Sequence, residues 1–171
     1  MLVIKAIKFA SEKHKGQVRR GSGLPYVTHP IIVMELVLKY KGTSKHIEDL
    51  RCAALLHDTL EDTECTYQEI EREFGPLVAS LVMELTSDPV RIKELGKNEY
   101  LKQKMIKMSQ YAFTLKLLDR LSNILDEPGE SYAKKTINMM TFLQSDREEI
   151  TERQLGIMED ITEACEKFLK V

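Results

Sequence analysis

Apolar residues along this chain recur at helical spacing, and no useful stretch alternates with the period of a strand. Val3, Ile4, Ile7 and Ala10 mark one face of a helix predicted over residues 2–15. Gly16, Gly21, Gly23 and Pro25 break the pattern, so residues 16–28 read as a loop. His29-Pro30 opens a helix running to about Tyr40, because proline suits the first helical turn. Thr43-Ser44 precedes a helix expected to continue to Asp62. Thr66 is placed to cap Tyr67–Phe74, with Gly75 closing it and Pro76 starting the next helix, which runs to Leu85. Residues 86–98 are polar and read as a connection, followed by helices near 98–109, 113–125, 130–144 and 150–169. The pattern predicts one all-α domain, a helical bundle over residues 1–171, with no repeats or linkers.

Composition narrows the partners more than the fold. The chain has 171 residues, 43% hydrophobic and 30% charged, which suffices for a buried core. With 25 basic and 27 acidic residues the net charge is -2, so no global field favours nucleic acid or an anionic membrane. An anionic ligand must be met by a local site. Three widely spaced cysteines, Cys52, Cys65 and Cys165, form neither a zinc pattern nor a disulfide framework, and reduced thiols in a cytoplasmic setting are expected. Lys5 and Lys8 interrupt the first apolar residues too early for a signal sequence, and no apolar run approaches the roughly 20 residues of a membrane span.

The chemistry concentrates at Ala53-Ala54-Leu55-Leu56-His57-Asp58-Thr59-Leu60-Glu61-Asp62. A histidine and an aspartate directly after an oily run are costly unless something pairs with them. Adjacent positions on a helix point about 100° apart and can reach one ion from the same rung. Glu61 and Asp62 follow one turn later; taken alone, such carboxylates most often form a solvated patch. Only four histidines are present. His29 stands at a rigid loop-to-helix junction before Pro30, which suits a metal ligand or, taken alone, a simple helix cap. His14 and His46 lie in polar, Lys-rich surroundings and are expected at the surface. Asp119 interrupts a second apolar run, Leu115 to Leu121, with Asn123 one turn later; an internal pair with Arg120 is the plainer reading. Two imidazoles and two carboxylates would suit Mn, Fe or Zn rather than calcium.

In their order along the chain these segments resemble the HD superfamily of metal-dependent phosphohydrolases. The likeness narrows to the RelA/SpoT-type hydrolase domain. It is carried by His14-Lys15-Gly16-Gln17-Val18-Arg19-Arg20 with Ser22-Gly23-Leu24-Pro25-Tyr26-Val27-Thr28-His29-Pro30, by Leu55 to Thr63, by Phe74-Gly75 to Thr86, and by Lys116-Leu117-Leu118-Asp119-Arg120-Leu121-Ser122-Asn123. It covers roughly residues 5–125 and leaves no room for a synthetase domain, as in the small stand-alone alarmone hydrolases.

The resemblance implies removal of the 3′-pyrophosphate of ppGpp or pppGpp, with Mn²⁺ the usual metal and another divalent transition ion possible. It implies His29, His57, Asp58 and Asp119 as ligands, and Glu61 and Asp62 as the groups that orient or deprotonate water. Arg20 would pack on the guanine, Asn123 would contact the nucleotide, and Tyr26 and Lys116 would sit beside it. Anionic ligands repel phosphate, so cations must lie nearby. Lys15, Arg19, Arg20 and Lys116 are the early candidates, and Lys134, Lys135 and Arg147 the late ones. The competing readings are a phosphohydrolase for another phosphorylated nucleotide or cofactor, and a nucleotide sensor without turnover. A homodimer is compatible with the exposed helices, although no heptad seam is present.

Overall fold

The computed structural model describes residues 2–20, 22–126 and 128–170; Gly21 of the first loop lies outside them. The protein is all-α, and one isolated bridge between Val18 and Pro25 is the sole β pairing among the described residues. Two compact units divide the chain, Met1–Thr86 and Ser87–Val171.

The first unit is built on a helix that is buried almost throughout. α1 (Leu2–Lys13), α2 (Thr28–Lys41) and α6 (Pro76–Leu85) all pack on α3 (Ile47–Leu56), whose Leu50 and Cys52 to Leu56 are buried. The helix expected to run unbroken to Asp62 ends at Leu56, and Thr59–Asp62 forms a separate turn, α4. Side chains cause the break. His57 Nδ1 bonds the Ala54 carbonyl at 2.7 Å and Thr59 Oγ1 donates to the Leu56 carbonyl at 2.7 Å. These bonds satisfy carbonyls that the next turn would otherwise take up. Glu61 and Asp62 then donate their backbone N–H groups to the Asp58 carbonyl and start anew. Thr66 and Glu69 form a reciprocal capping box on α5 (Tyr67–Phe74), and Pro76 opens α6 as expected. Gly75 sits at φ 90°, a conformation that favours glycine.

The second unit surrounds α9 (Gln110–Leu125), which buries residues on nearly every side, with α11 (Glu152–Leu169) against it and α10 (Glu130–Asp146) against α11. α8 (Lys97–Lys107) packs on α10. The stretch expected to be a plain connection contains one further helix, α7 (Pro89–Leu95). Asp88 starts it by accepting from the backbone N–H groups of Val90 and Arg91, while Pro89 occupies its first turn. Arg147, a candidate phosphate cation from sequence, is instead spent on the fold. Its guanidinium donates to the carbonyls of Met105, Ile106, Met108 and Glu149 and stacks over Phe113 at 4.0 Å. Lys134 is exposed and pairs with Glu130 of its own helix.

Candidate metal centre

Elements of the first unit bring three of the four predicted donors together. The glycine-rich loop folds back on itself as a short ribbon: Arg19 N–H donates to Leu24 O, and Tyr26 N–H to Gln17 O. Gly23, at φ 69°, helps it turn. The ribbon delivers Tyr26 and then His29, whose backbone N–H is held by the Tyr26 carbonyl at 3.0 Å. His29 is buried at 2% exposure in the first turn of α2. His57, 3% exposed, lies at the end of α3.

The His57 contact to the Ala54 carbonyl decides its chemistry. A carbonyl only accepts, so Nδ1 carries a proton, and in the neutral ring Nε2 then presents a lone pair. That nitrogen lies 3.0 Å from Asp58 Oδ2, and His29 Nε2 lies 3.8 Å from the same oxygen. Two donors bound at about 2.0–2.2 Å to one ion at tetrahedral or octahedral angles stand about 3.0–3.5 Å apart. The observed spacings bracket that range. Two imidazole nitrogens and a carboxylate oxygen, buried or half-buried, fit a divalent transition metal by type as well as by distance.

Tyr26 donates its hydroxyl to Asp58 Oδ2 at 2.6 Å and contacts Asp62 Oδ2 at 3.4 Å. The phenol thus sets the orientation of a candidate ligand, as outer groups do around metal sites. Removing only that hydroxyl, in Tyr26→Phe, is expected to weaken metal affinity by about 10- to 100-fold at unchanged helicity. Metal titration followed by calorimetry checks this, and wild-type affinity would remove Tyr26 from the centre. Glu61 and Asp62 are exposed, and Asp62 borders the centre through its contact with Tyr26. Loss of solvation first, and then the charges of Asp58 and Glu61, hold the Asp62 carboxyl above the usual range. Arg20 is exposed on the ribbon, beside the half-buried Arg19.

In the second unit Asp119 is 8% exposed on α9. Lys116, one turn before, approaches Asp119 Oδ2 at 2.9 Å. Asn123, one turn after, donates to Asp119 Oδ1 at 2.8 Å and to its carbonyl at 3.0 Å. Both residues expected to touch nucleotide therefore also brace this carboxylate. Arg120 turns to α10, donating to Thr136 Oγ1 at 2.9 Å with its guanidinium 5.5 Å from the Tyr132 ring. The buried Arg120 is accommodated without the simple Asp119 pair that its neighbour position suggested.

Sequence reasoning missed His14. Expected at the surface, it is 3% exposed, its ring stacked 4.8 Å from that of Tyr26. The signal was present: Val3, Ala6 and Ala10 form the buried stripe of α1, and the next position on that stripe is His14. The charged neighbours Glu12, Lys13 and Lys15 masked it. His46, by contrast, is half-buried near Asp49, at 3.4 Å.

A family model described as HD domain matches residues 6–126. The chain belongs to the HD-domain family. Its relatives narrow the membership to the RelA/SpoT-type hydrolases that the motifs resembled. A guanosine-3′,5′-bis(diphosphate) 3′-pyrophosphohydrolase of Danio rerio is 38% identical over 129 residues, 73% of this chain and 68% of that protein. One from Xenopus tropicalis is 41% identical over 73% of this chain and 69% of its own length. A bacterial counterpart from Aquifex aeolicus is 37% identical over 79% of this HD-domain chain, which spans 20% of that longer protein. A solved structure of a metazoan SpoT ortholog, described as hydrolysing ppGpp, matches with a TM-score of 0.71 at 26% identity, covering 99% of this chain and 94% of that one. No helix among the described residues is long and apolar enough to cross a membrane.

Proposed function

We propose that this HD-domain protein is a metal-dependent hydrolase that cleaves the 3′-pyrophosphate of ppGpp or pppGpp, adding water to leave GDP or GTP and free pyrophosphate. The observation that carries the reading is the convergence of His29 Nε2 and His57 Nε2 on Asp58 Oδ2, with Asp62 beside it through Tyr26. Relatives that bear this activity in their names support it. The proposed ligands are His29, His57, Asp58 and, on the family's motif, Asp119, and the proposed ion is Mn²⁺. A divalent ion held there supplies Lewis acidity toward water and phosphoryl oxygen.

The chain's own residues do the rest. Tyr26 and the Ala54 carbonyl fix Asp58 and His57 before any ligand arrives, so little reorganisation remains at the moment of reaction. Glu61 or Asp62 orients the attacking water and accepts its proton. Arg20, exposed at the ribbon, is free of deep packing and suited to stack on a purine face. Tyr26, Lys116 and Asn123 are proposed at the nucleotide. The balanced net charge supports a small-molecule substrate without nucleic acid as a partner. A family match running through residues 6–126 supports treating the chain as one working domain, in a cytoplasmic setting that suits three reduced thiols. A homodimer remains part of the proposal and is read by sedimentation.

Incubating purified protein with ppGpp and Mn²⁺, with products resolved by ion exchange, tests the reading. GDP and pyrophosphate are expected, blocked by EDTA and restored by Mn²⁺. Absence of turnover in folded, metal-loaded protein would reject the alarmone as substrate.

A further inference from the structure

A histidine that the proposed chemistry does not use lies behind the rim of this centre. Gln17 explains its state. The Gln17 Nε2 amide donates to the Asp62 main-chain carbonyl at 2.9 Å, which turns Oε1 toward His14 Nδ1 at 2.8 Å. An amide oxygen only accepts, so Nδ1 carries a proton, and in the neutral ring His14 Nε2 then holds a lone pair. Nε2 is buried and makes no hydrogen bond among the described residues. A purely packing role would be better served by an apolar ring, because an unmade hydrogen bond in the interior is unfavourable. The same ring lies tilted against Tyr26, the residue whose hydroxyl bonds Asp58 and touches Asp62.

We infer that His14 is a positioning residue, holding Asp62 through Gln17 and Asp58 through Tyr26. This rests on the reading of Asp58 and Asp62 as residues of the centre. His14 touches neither carboxylate in this scheme; its N–H fixes the Gln17 amide and its face fixes the Tyr26 phenol. The rings run on from His14 to Tyr26 and then to His29, at centroid spacings of 4.8 and 6.1 Å, so a shift at His14 is felt at the ligand set.

The test pairs His14→Phe, which keeps a ring and loses the N–H, with Gln17→Leu, which removes the tie to Asp62. Each is expected to lower kcat for ppGpp about tenfold at unchanged KM, the size typical of groups behind a metal site. The double variant is expected to lose no more than the larger single loss, because both act through one connection. Melting temperature separates this from mere packing: His14→Phe should melt at or above the wild-type temperature while losing rate. Nitrogen NMR of the imidazole should find the proton on Nδ1 in wild type, and that preference should vanish in Gln17→Leu. Wild-type kcat in His14→Phe, strictly multiplicative losses in the double variant, or a proton on Nε2 in wild type would overturn the inference. If wild type does not turn over ppGpp, the functional reading fails by itself. Mn²⁺ affinity then decides: several-fold weakening in His14→Phe upholds the positioning role, and unchanged affinity overturns it.

Discussion

Replacing Asp58 with alanine is expected to abolish turnover and release the metal while leaving the helices intact. Asp58 Oδ2 is the atom on which the His57 and His29 imidazoles converge, at 3.0 and 3.8 Å, and the Tyr26 hydroxyl already aims it. Outer groups around metal sites are worth about 10- to 100-fold in affinity or activity, so a proposed ligand should cost more than about 100-fold. The fold should survive because Asp58 lies in the turn between α3 and α4 with its side chain 16% exposed, outside the apolar packing of α3. The metal-free variant can be the more stable one. Without the cation, a carboxylate beside Asp62 and Glu61 adds repulsion that alanine removes. Metal content by plasma emission, helicity by circular dichroism and ppGpp turnover measure all three. Full activity with metal still bound would sink the assignment of Asp58.

The legible and illegible parts of this chain differ by physical origin. Helical periodicity, the Thr66 cap and the Gly75-Pro76 punctuation are local signals, and the structure follows them. The end of α3 was not legible, because apolar spacing continues through Leu60 while the break is made by side-chain bonds from His57 and Thr59 to carbonyls. α7 was hidden for a related reason: it buries no residue, so it has no apolar stripe to read, and its marks are confined to Asp88 and Pro89 at its start and Gly96 at its end. At the site, residue types and their order named His29, His57, Asp58 and Asp119 as donor candidates, and burial and geometry now explain why three of the four are shielded from water. What sequence could not separate is a cation that meets substrate from one that serves the fold. Arg147 looked available for phosphate until its four carbonyl partners were seen. His14 looked solvated until the stripe of α1 carried it inward.

Glu61→Gln is expected to keep the metal and lose about 10²- to 10⁴-fold in kcat, the range for removing a positioned acid–base group. The amide conserves size and hydrogen-bonding shape at the start of α4, so Asp58 and Tyr26 stay in register. The capacity to take a proton is lost, together with the negative charge. The same substitution has a second signature through Asp62. Its carboxyl is held above the ordinary range by partial loss of solvation and then by the charges of Asp58 and Glu61. A raised carboxyl takes up its proton earlier as pH falls, so any rate that needs ionised Asp62 declines on the acid side sooner than for an ordinary aspartate. Glutamine at 61 removes one of the two repelling charges, and the Asp62 carboxyl moves back down. The acid limb of the residual rate should therefore shift to lower pH. A pH series of kcat on metal-saturated enzyme reads both effects. An unchanged kcat removes Glu61 from the mechanism and leaves Asp62 as the proton acceptor. A large loss without any shift of the limb keeps Glu61 as the base and uncouples Asp62 from the rate, because only a group that must ionise can carry its neighbour's charge into the profile.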